Sequence, residues 1–544
     1  MRRPDFGWLL ILGVISAGAR PASAQLKPEL DERVHAILKT PGYETAHWGL
    51  LVVDSASGEV VYQRRPDELF KPASVTKVYS CAAALSELGA DYRFKTPIVR
   101  RGEVSDGVLK GDLILVASGD LSLGGRTGPE GTLLFEDNDH TYAGGSANGS
   151  LVASNPLAGL DHLARVIHDE GIKEVQGDVL IDDRLFDAAP SSGSGPSRVS
   201  PIVVNDNLVD VVAIPGAKPG DPAKVRIVPE TGFVQMDAQV STVGEGVLPR
   251  MTVQEVGPRR FRVRGTVPVG HKPFVRVYEI DEPAAFARAL LIERLRERGV
   301  KVSASPLGPN DSLALPPRGD SIKLPKVAEY VSPPFSEYLR VILKVSLNLH
   351  ASTLPMLIAA KHNERTLSAG LKREARALEG LGVDVSTISF GGGAGGSDAD
   401  LTTPRATVNL LRALAKRPDY PVFEAALPVL GRDGTLSKAV AADSPARGHV
   451  KAKTGTYWID NLLTGRSIIT SKALAGTIET ASGRKLTFAF FLNNLPVPAK
   501  FERIGDATAD AGRLLGKLSE VFYDDVPHDA KAGKPQVPAP LSGP

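Results

Sequence analysis

The sequence predicts an α/β fold, of the α+β kind, in which a β-sheet is flanked by helices and a long β-rich insertion divides the chain. Three observations support this fold class. Apolar residues at helical spacing follow residue 74 and recur at 406–414. Short strand-like runs, separated by Gly, Pro and Asp, fill residues 94–324. Two further strand-like runs meet near residue 482, before a last helix expected at 507–522. A chain of 544 residues is long enough for several domains with a sizeable core.

The first 24 residues have the pattern of a signal peptide. Arginines at positions 2 and 3 precede an apolar run at 8–15, and residues 22–24 read Ala-Ser-Ala, the small-x-small form of a signal peptidase site. The apolar run is too short for a membrane span, and no cysteine follows the cleavage site to carry a lipid. We therefore expect an exported protein of 520 mature residues, in the periplasm or cell envelope of a bacterium, with no stable membrane span.

The composition argues against several classes of function. The formal net charge is +2 and both signs are interspersed, which gives no basis for binding nucleic acid. Cys81 is the one cysteine, so the chain forms no internal disulfide, and its helical spacing favours burial over a redox role. The ten histidines lack the paired spacing of zinc enzymes, and we expect neither a metal nor another cofactor.

A first motif begins a predicted helix. Ser74-Val75-Thr76-Lys77 opens a run with apolar residues at three- and four-residue steps, which Gly89 should end as a C-terminal cap. Lys77 then lies one turn from Ser74. A helix N-terminus favours developing negative charge, and a lysine against an apolar wall has a lowered pKa. Lys77 can thus be the base that activates Ser74, although the pair alone also fits a capping serine and a solvated lysine.

A second motif lies where a predicted buried helix gives way to a turn. Ser346 and Asn348 flank Leu347, and alternation places the two polar side chains on one side and the leucine on the other. Ser346 can relay a proton toward a leaving group, and the Asn348 amide can hold a peptide carbonyl. By themselves, the two residues fit equally well as satisfied polar groups in a core.

A third motif follows the alternating stretch 448–452, which predicts a strand that enters the site. It reads Lys453-Thr454-Gly455-Thr456. The glycine lets a substrate backbone approach closely, and a strand edge offers groups for pairing with an extended peptide. Lys453 and the two threonines would bind a C-terminal carboxylate. A bare Lys-Thr-Gly tripeptide is more often a surface strand end.

The order of the three motifs carries more information than any one of them. Each supplies part of an acyl-transfer site; 272 residues separate Ser74 from Ser346, and 107 separate Ser346 from Lys453. In this order they resemble the penicillin-recognising serine acyl enzymes and, more narrowly, the low-molecular-mass class C penicillin-binding proteins, the D-alanyl-D-alanine carboxypeptidase/endopeptidase family. The likeness extends over about residues 30–515 and includes the segments 71–74, 89–94, 117–120, 205–208, 332–334, 427–429 and 433–436.

This resemblance implies a role for each motif residue. The roles are nucleophile for Ser74, general base for Lys77, proton transfer for Ser346, amide holder for Asn348, substrate binding for Lys453, Thr454, Gly455 and Thr456, and oxyanion hole for the backbone N–H groups of Ser74 and Thr456.

The resemblance also implies a penicillin-binding transpeptidase-like domain with two nested inserted domains. Two segments are candidate domain boundaries: 193–197, which consists of Gly, Ser and Pro, and 316–319, which contains two prolines and a glycine. Two stretches depart from the family pattern: Leu347 replaces a common polar residue, and the glycine-rich 392–397 replaces an Asp-Gly-Ser-Gly-Leu-like sequence. The expected bounds are 25–95 and 321–523 for the catalytic domain, 96–122 and 200–320 for inserted domain II, 123–199 for inserted domain III, and 524–544 for a disordered tail.

The predicted function is that of a serine-type D,D-carboxypeptidase/endopeptidase. It would cleave D-alanyl peptide bonds of peptidoglycan stem peptides through a Ser74 acyl-enzyme, with β-lactam antibiotics as covalent inhibitors. Two alternatives stay open, a β-lactamase-like hydrolase and a non-catalytic envelope scaffold. Class A β-lactamases place a glutamate four residues before an asparagine between the second and third motifs, and no glutamate in that interval has this partner.

A dinucleotide site has weaker support. Gly391-x-Gly393-x-x-Gly396 matches the fingerprint formally and follows a strand-like run at 385–390. The next helix is expected only near Thr403, so no helix N-terminus stands at the glycines to hold a pyrophosphate.

Overall fold

A computed structural model describes residues 28–145 and 149–524 of the chain. The helices are α1 (Pro28–Leu38), α2 (Thr76–Leu88), α3 (Ala158–Asp169), α4 (Pro283–Glu297), α5 (Phe335–Lys344), α6 (Asn348–Lys361), α7 (Leu367–Gly380), α8 (Pro404–Leu414), α9 (Tyr420–Ala426) and α10 (Ile504–Tyr523). The strands are β1 (His47–Asp54), β2 (Val60–Arg64), β3 (Lys95–Ser105), β4 (Val108–Val116), β5 (Glu174–Val175), β6 (Val179–Asp182), β7 (Ala189–Pro190), β8 (Arg198–Val199), β9 (Leu208–Ile214), β10 (Lys224–Val228), β11 (Gln235–Val243), β12 (Arg250–Gly257), β13 (Arg260–Pro268), β14 (Phe274–Glu279), β15 (Lys301–Val302), β16 (Lys326–Val331), β17 (Val450–Asn461), β18 (Arg466–Glu479) and β19 (Lys485–Pro496).

A five-stranded antiparallel sheet joins the two ends of the described chain. Its strand order is β17-β18-β19-β1-β2. The first strand pairs with the last in a register that runs from His47 opposite Asn493 to Asp54 opposite Leu486. The strand pair expected to meet near residue 482 is β18 and β19, and the strand expected to lead into the third motif is β17, so both predictions are confirmed.

Helices cover both faces of this sheet, so its central strands are apolar throughout. Leu50 and Val52 face the layer that contains α1 and α10. Leu51 and Val53 face a larger core that contains α2, α5, α6, α7 and α8. Consecutive residues of a strand point to opposite faces, which accounts for this division. The predicted α/β class, a sheet flanked by helices, is confirmed.

The chain between α2 and α5 is rich in strands. It contains a six-stranded sheet, in the order β15-β5-β4-β3-β16 with β6 beside β4, and two three-stranded sheets, β10-β9-β14 and β11-β13-β12. The strand runs expected at 108–116 and 259–265 are β4 and most of β13. Two helices of this region, α3 and α4, were not predicted from the sequence, although Leu160, Leu163 and Ile167 of α3 have helical spacing. In α4 buried residues such as Phe286, Leu290 and Leu291 lie around much of the helix, so the amphipathic spacing that signals a helix is weak.

One predicted strand is wrong. Residues 385–390 form the short 3₁₀ turn Val385–Thr387 and a single bridge from Ser389 to Leu401 in place of a strand. The Asp384 side chain accepts a hydrogen bond from the Ser386 N–H, which gives the backbone a local alternative to strand pairing. Helix α8 begins at Pro404 behind its cap Thr403, as expected.

Several expectations fall outside what the structure tests. The expected signal peptide at 1–24 and the expected tail from residue 525 onward lie outside the described residues. The domain bounds remain predictions. No helix among residues 28–145 and 149–524 is long and apolar enough to cross a bilayer.

Candidate active site

Ser74 lies in a tight turn at the start of a buried helix. The 3₁₀ turn Ala73–Val75 leads into α2, which begins at Thr76 and ends at the expected cap Gly89, whose φ is +86°. Ala73 has a φ of +46°, in the left-handed region that residues with a Cβ atom rarely adopt. Such backbone strain persists only where the surroundings hold it, and here it sits beside the candidate nucleophile.

Lys77 is fully buried and has three uncharged neighbours. Its Nζ lies 2.9 Å from Ser74 Oγ, 2.7 Å from Asn348 Oδ1 and 2.7 Å from the Ala394 carbonyl oxygen. A neutral amine has two N–H donors and one lone pair. The amide and carbonyl oxygens can accept the two N–H groups, which leaves the lone pair for the Ser74 hydroxyl. Burial lowers the pKa of Lys77 to about 7, so the neutral form is accessible at physiological pH.

The glycine-rich segment that departs from the family pattern packs against this turn. A Cβ atom on Gly395, whose φ is +90°, would lie 1.9 Å from the carbonyl oxygen of Ala73. The Gly393 carbonyl accepts a hydrogen bond from Ser80 Oγ at 2.8 Å, and the Ala394 carbonyl is the one that faces Lys77. The segment thus supplies polar backbone to the site, and Gly395 is required for its close approach.

The second motif forms the break between α5 and α6. Leu347 is fully buried in the apolar core, while Ser346 and Asn348 face the lysines, so the predicted alternation is confirmed. Ser346 has a φ of +63°, a second left-handed residue in the site. Asn348 begins α6 and joins Lys77 through its Oδ1 atom.

The third motif lies on β17, at the edge of the five-stranded sheet. Lys453 is fully buried, and its Nζ donates to Ser346 Oγ and to the Thr454 carbonyl, each at 2.9 Å. Burial, and next the charge of Lys77, hold the pKa of Lys453 well below its usual range. A Cβ atom on Gly455 would lie 2.4 Å from the Pro72 carbonyl oxygen, so this glycine also lets the strand approach the turn that carries Ser74.

The two threonines of this motif have partners that the sequence analysis missed. Thr454 Oγ1 donates to Thr435 Oγ1 at 2.8 Å, and Thr456 Oγ1 accepts from Lys472 Nζ at 2.8 Å. Lys472 lies on β18, directly opposite Thr456 in the strand register. No spacing along the sequence indicates this pairing, because it depends on the length of the β17–β18 hairpin.

The β-rich region also reaches the site. Ser194 Oγ accepts a hydrogen bond from Asn348 Nδ2 at 3.0 Å, and a Cβ atom on Gly193 would lie 2.4 Å from the same nitrogen. Tyr142 donates its hydroxyl proton to the Ser346 carbonyl at 2.7 Å. The segment 193–197, which composition indicates as a domain boundary, therefore contacts the site, and no pattern in the sequence indicates this role.

A buried charged network joins the β-rich region to α6. Asp206 lies at its centre: one carboxylate oxygen is 2.8 Å from His350 Nε2, and the other is 2.7 Å from Arg126 Nη2 and 2.9 Å from His140 Nε2. Burial alone would raise the pKa of Asp206, but the Arg126 guanidinium and the two histidines hold it well below its usual range. His350 follows Asn348 by two residues, so the network is anchored next to the second motif.

Comparison with known proteins gives consistent results. The model of the D-Ala-D-Ala carboxypeptidase 3 (S13) family matches residues 30–510. A D-alanyl-D-alanine carboxypeptidase from Actinomadura sp. (strain R39) is 30% identical over 96% of this chain and 90% of its own length. The D-alanyl-D-alanine carboxypeptidase DacB of Haemophilus influenzae is 24% identical over 83% of this chain and 86% of its own length.

The fold is similar to that of a solved penicillin-binding protein. The crystal structure of penicillin binding protein 4 (dacB) from Haemophilus influenzae has a TM-score of 0.66 and 20% sequence identity, and the match covers 91% of this chain and 99% of that one. A second crystal structure of the same protein, complexed with a β-lactam, has a TM-score of 0.64 with 91% and 100% coverage. These matches show the fold.

Proposed function

Because this chain belongs to the D-Ala-D-Ala carboxypeptidase 3 (S13) family of serine peptidases, we propose that it cleaves D-alanyl peptide bonds of peptidoglycan stem peptides through an acyl-enzyme on Ser74. The observation that supports the Ser74 assignment best is the position of Lys77 Nζ, which has one hydroxyl and two uncharged acceptors around it. This arrangement suits a neutral amine base and does not suit a structural ion pair.

In the acylation step, Lys77 takes the proton of the Ser74 hydroxyl as Oγ bonds to the carbonyl carbon of the penultimate D-alanine. The backbone N–H groups of Ser74 and Thr456 stabilise the oxyanion. The C–N bond then breaks, and the leaving D-alanine nitrogen receives a proton through Ser346, which is hydrogen-bonded to Lys453. In the deacylation step, Lys77 takes a proton from water as the water oxygen attacks the ester carbonyl carbon, and it returns the proton to Ser74 Oγ as the ester C–O bond breaks.

Substrate recognition uses the remaining motif residues. Asn348 would hold a peptide amide of the stem, and the terminal carboxylate would bind at Lys453, Thr454, Gly455 and Thr456. Carboxypeptidase and endopeptidase cleavage use the same site, because both break a D-alanyl peptide bond. A β-lactam would acylate Ser74 in the same way.

We also propose that the protein works in the periplasm or cell envelope of a bacterium, because its proposed substrate, peptidoglycan, lies there.

The nucleophile assignment is tested by intact-mass spectrometry with penicillin. The wild type should gain the mass of one penicillin and keep it, whereas Ser74→Ala should gain none and should also lose peptidase turnover. The Ser74 side chain does not cap α2, whose N-cap is Val75, so the variant should remain folded. Labelling of the Ser74→Ala variant at the wild-type rate would refute the assignment, and rapid loss of the adduct with many penicillins hydrolysed per enzyme would indicate a β-lactamase.

A further inference from the structure

Three lysine side chains lie in or beside the candidate site, and none has a carboxylate partner among the described residues. Lys77, Lys453 and Lys472 form no ion pair with any residue that the structure describes. A buried or half-buried cation without a carboxylate partner is costly. Lys472, whose Nζ has only the Thr456 hydroxyl as a hydrogen-bond partner in the part of the chain that the structure describes, therefore indicates a place for an anion nearby. The proposed mechanism uses the first two and leaves Lys472 without a role.

The side chain of Lys472 is held in one direction. Its stem passes beneath α10 at Gly512, where a Cβ atom would lie 3.2 Å from Lys472 Cε. Its Nζ ends 2.8 Å from Thr456 Oγ1. Thr454 and Thr456 are two residues apart on β17, so their side chains project from the same face of the strand, and Lys453 projects from the other.

Lys453 lies behind the two threonines in the proposed carboxylate site, so a second group is needed to orient the hydroxyls on their face of β17. Lys453 is fully buried, and its Nζ already donates to Ser346 Oγ and the Thr454 carbonyl. The Thr456 hydroxyl, in contrast, is only partly buried and accepts a charge-assisted hydrogen bond from Lys472, which leaves its own proton free to be donated outward. Burial lowers the pKa of Lys472 to about 8, which keeps it mostly protonated at pH 7.

We propose that Lys472 is a positioning residue for the substrate's C-terminal carboxylate: it orients and polarises the Thr456 hydroxyl as a donor and supplies positive charge on the threonine face of β17. This inference rests on the proposed function. It means that the preference for substrates with a free C-terminal carboxylate depends partly on Lys472, a residue outside the three motifs. A C-terminal amide would gain little from the arrangement, because it carries no negative charge.

The test compares two substrates in four proteins. The substrates are an acylated tripeptide ending in D-Ala-D-Ala and its C-terminal amide. The proteins are the wild type, Lys472→Met, Lys472→Arg and a control, Lys485→Met. The control removes an exposed lysine at the first residue of β19. Lys472→Met should lower kcat/KM for the free acid about tenfold and leave the amide within about twofold, since the variant loses a charge-assisted contribution that only the acid receives. Lys472→Arg should restore most of the discrimination, and Lys485→Met should match the wild type.

Several outcomes would overturn the proposal. An unchanged acid-to-amide ratio in Lys472→Met would do so, as would equal losses on both substrates, which indicate a structural role. If the Met variant does not fold, Lys472→Gln keeps a donor without the charge and should show the same loss of discrimination. If the wild type cleaves neither peptide, the proposed function fails instead, and acylation rates for a penicillin and its methyl ester still measure the Lys472 effect on the carboxylate.

Discussion

At the residue scale, the protonation state of one amine controls the proposed chemistry. Lys77 is surrounded by a hydroxyl, an amide oxygen and a carbonyl oxygen, and it forms no ion pair within the described part of the chain. Its burial lowers its pKa to about 7. The amine must therefore lose its proton before it can accept the one from Ser74.

This predicts a pH profile for acylation. The second-order rate constant for reaction with a β-lactam should rise as pH increases through about 7 and level off above it, because only the neutral Lys77 is a base. Lys77→Arg keeps a permanently charged group and should lose about 10²- to 10⁴-fold at every pH. Stopped-flow measurements between about pH 5 and pH 9 provide the check, and a flat wild-type profile would contradict the role of Lys77.

The glycine-rich segment offers a prediction with a matched control in the same loop. Gly395→Ala should impair acylation severely, because its Cβ atom would lie 1.9 Å from the Ala73 carbonyl oxygen and would displace the turn that carries Ser74. Gly392→Ala should behave like the wild type, since nothing lies within 4 Å of a Cβ atom there and its φ is not left-handed. Penicillin labelling rates of the two variants decide; equal rates would show that the contact does not position the nucleophile.

The limit of sequence reasoning at this scale follows from chain connectivity. The three-residue spacing of Ser74 and Lys77 predicted that they lie one helical turn apart, and the structure places their polar atoms 2.9 Å apart. Lys472 and Ser194 reach the site through a strand register and a loop of the β-rich region. Neither position leaves a local pattern, because the residues around it carry no repeat or spacing tied to the motif it contacts.

At the scale of the element, helix α7 contains a carboxyl group without a hydrogen-bond partner among the described residues. Neither carboxyl oxygen of the buried Glu374 is hydrogen-bonded to any of them. Burial raises its pKa to about 8, so the folded protein keeps this carboxyl protonated at neutral pH. The unfolded chain releases that proton near pH 4.5, and folding stability therefore falls as pH rises from there to about 8.

Removing this carboxyl should stabilise the protein in a pH-dependent way. Glu374→Met should raise the urea unfolding midpoint strongly at about pH 8 and little at about pH 5, because each pH unit in this window costs the wild type about 1.4 kcal/mol. Glu379→Gln, at an exposed position of the same helix, should leave the midpoint unchanged at both pH values. An equal shift of the Glu374→Met variant at the two pH values would show that packing, and not ionisation, is responsible.

The elements that sequence patterns predicted are those with clear periodicity. Helices α2, α8 and α10 have apolar residues at helical spacing, and strands β4, β17, β18 and β19 are apolar or alternating runs of strand length. Helix α3 also has helical spacing and was overlooked, whereas two other failures have local causes. The side chain of Asp384 satisfies the backbone where a strand was expected, and α4 is buried on too many sides to show one polar face.

At the scale of the whole molecule, Asp206 links the β-rich region to helix α6, which carries Asn348. Asp206→Asn should lower the free energy of unfolding by about 1.5–3 kcal/mol, because it replaces the charged acceptor of Arg126, His140 and His350 with a neutral amide. Arg126 keeps its pair with Asp139, and His140 keeps its hydrogen bond with Asp210. Acylation should slow as well, since His350 is on the same helix turn as Asn348.

The matched control for this prediction is an exposed ion pair. Asp237→Asn removes the carboxylate that faces Arg264 on the surface and should change the free energy of unfolding by less than about 1 kcal/mol. Urea unfolding followed by circular dichroism measures both variants. Similar small effects at the two positions would mean that the buried network does not hold the two regions together.

The pairing of β1 with β19 sets the time at which the enzyme can become active. Asp54 and Leu486 are neighbours in the sheet although 432 residues separate them along the chain. While the polypeptide is still being made, β1 has only β2 beside it, and the turn that carries Ser74 lacks both Ala394 and Gly455. Long-range strand pairing of this kind is slow and comes late in folding. A nascent chain therefore stays catalytically inactive, and reactivity begins only once the last strand has docked.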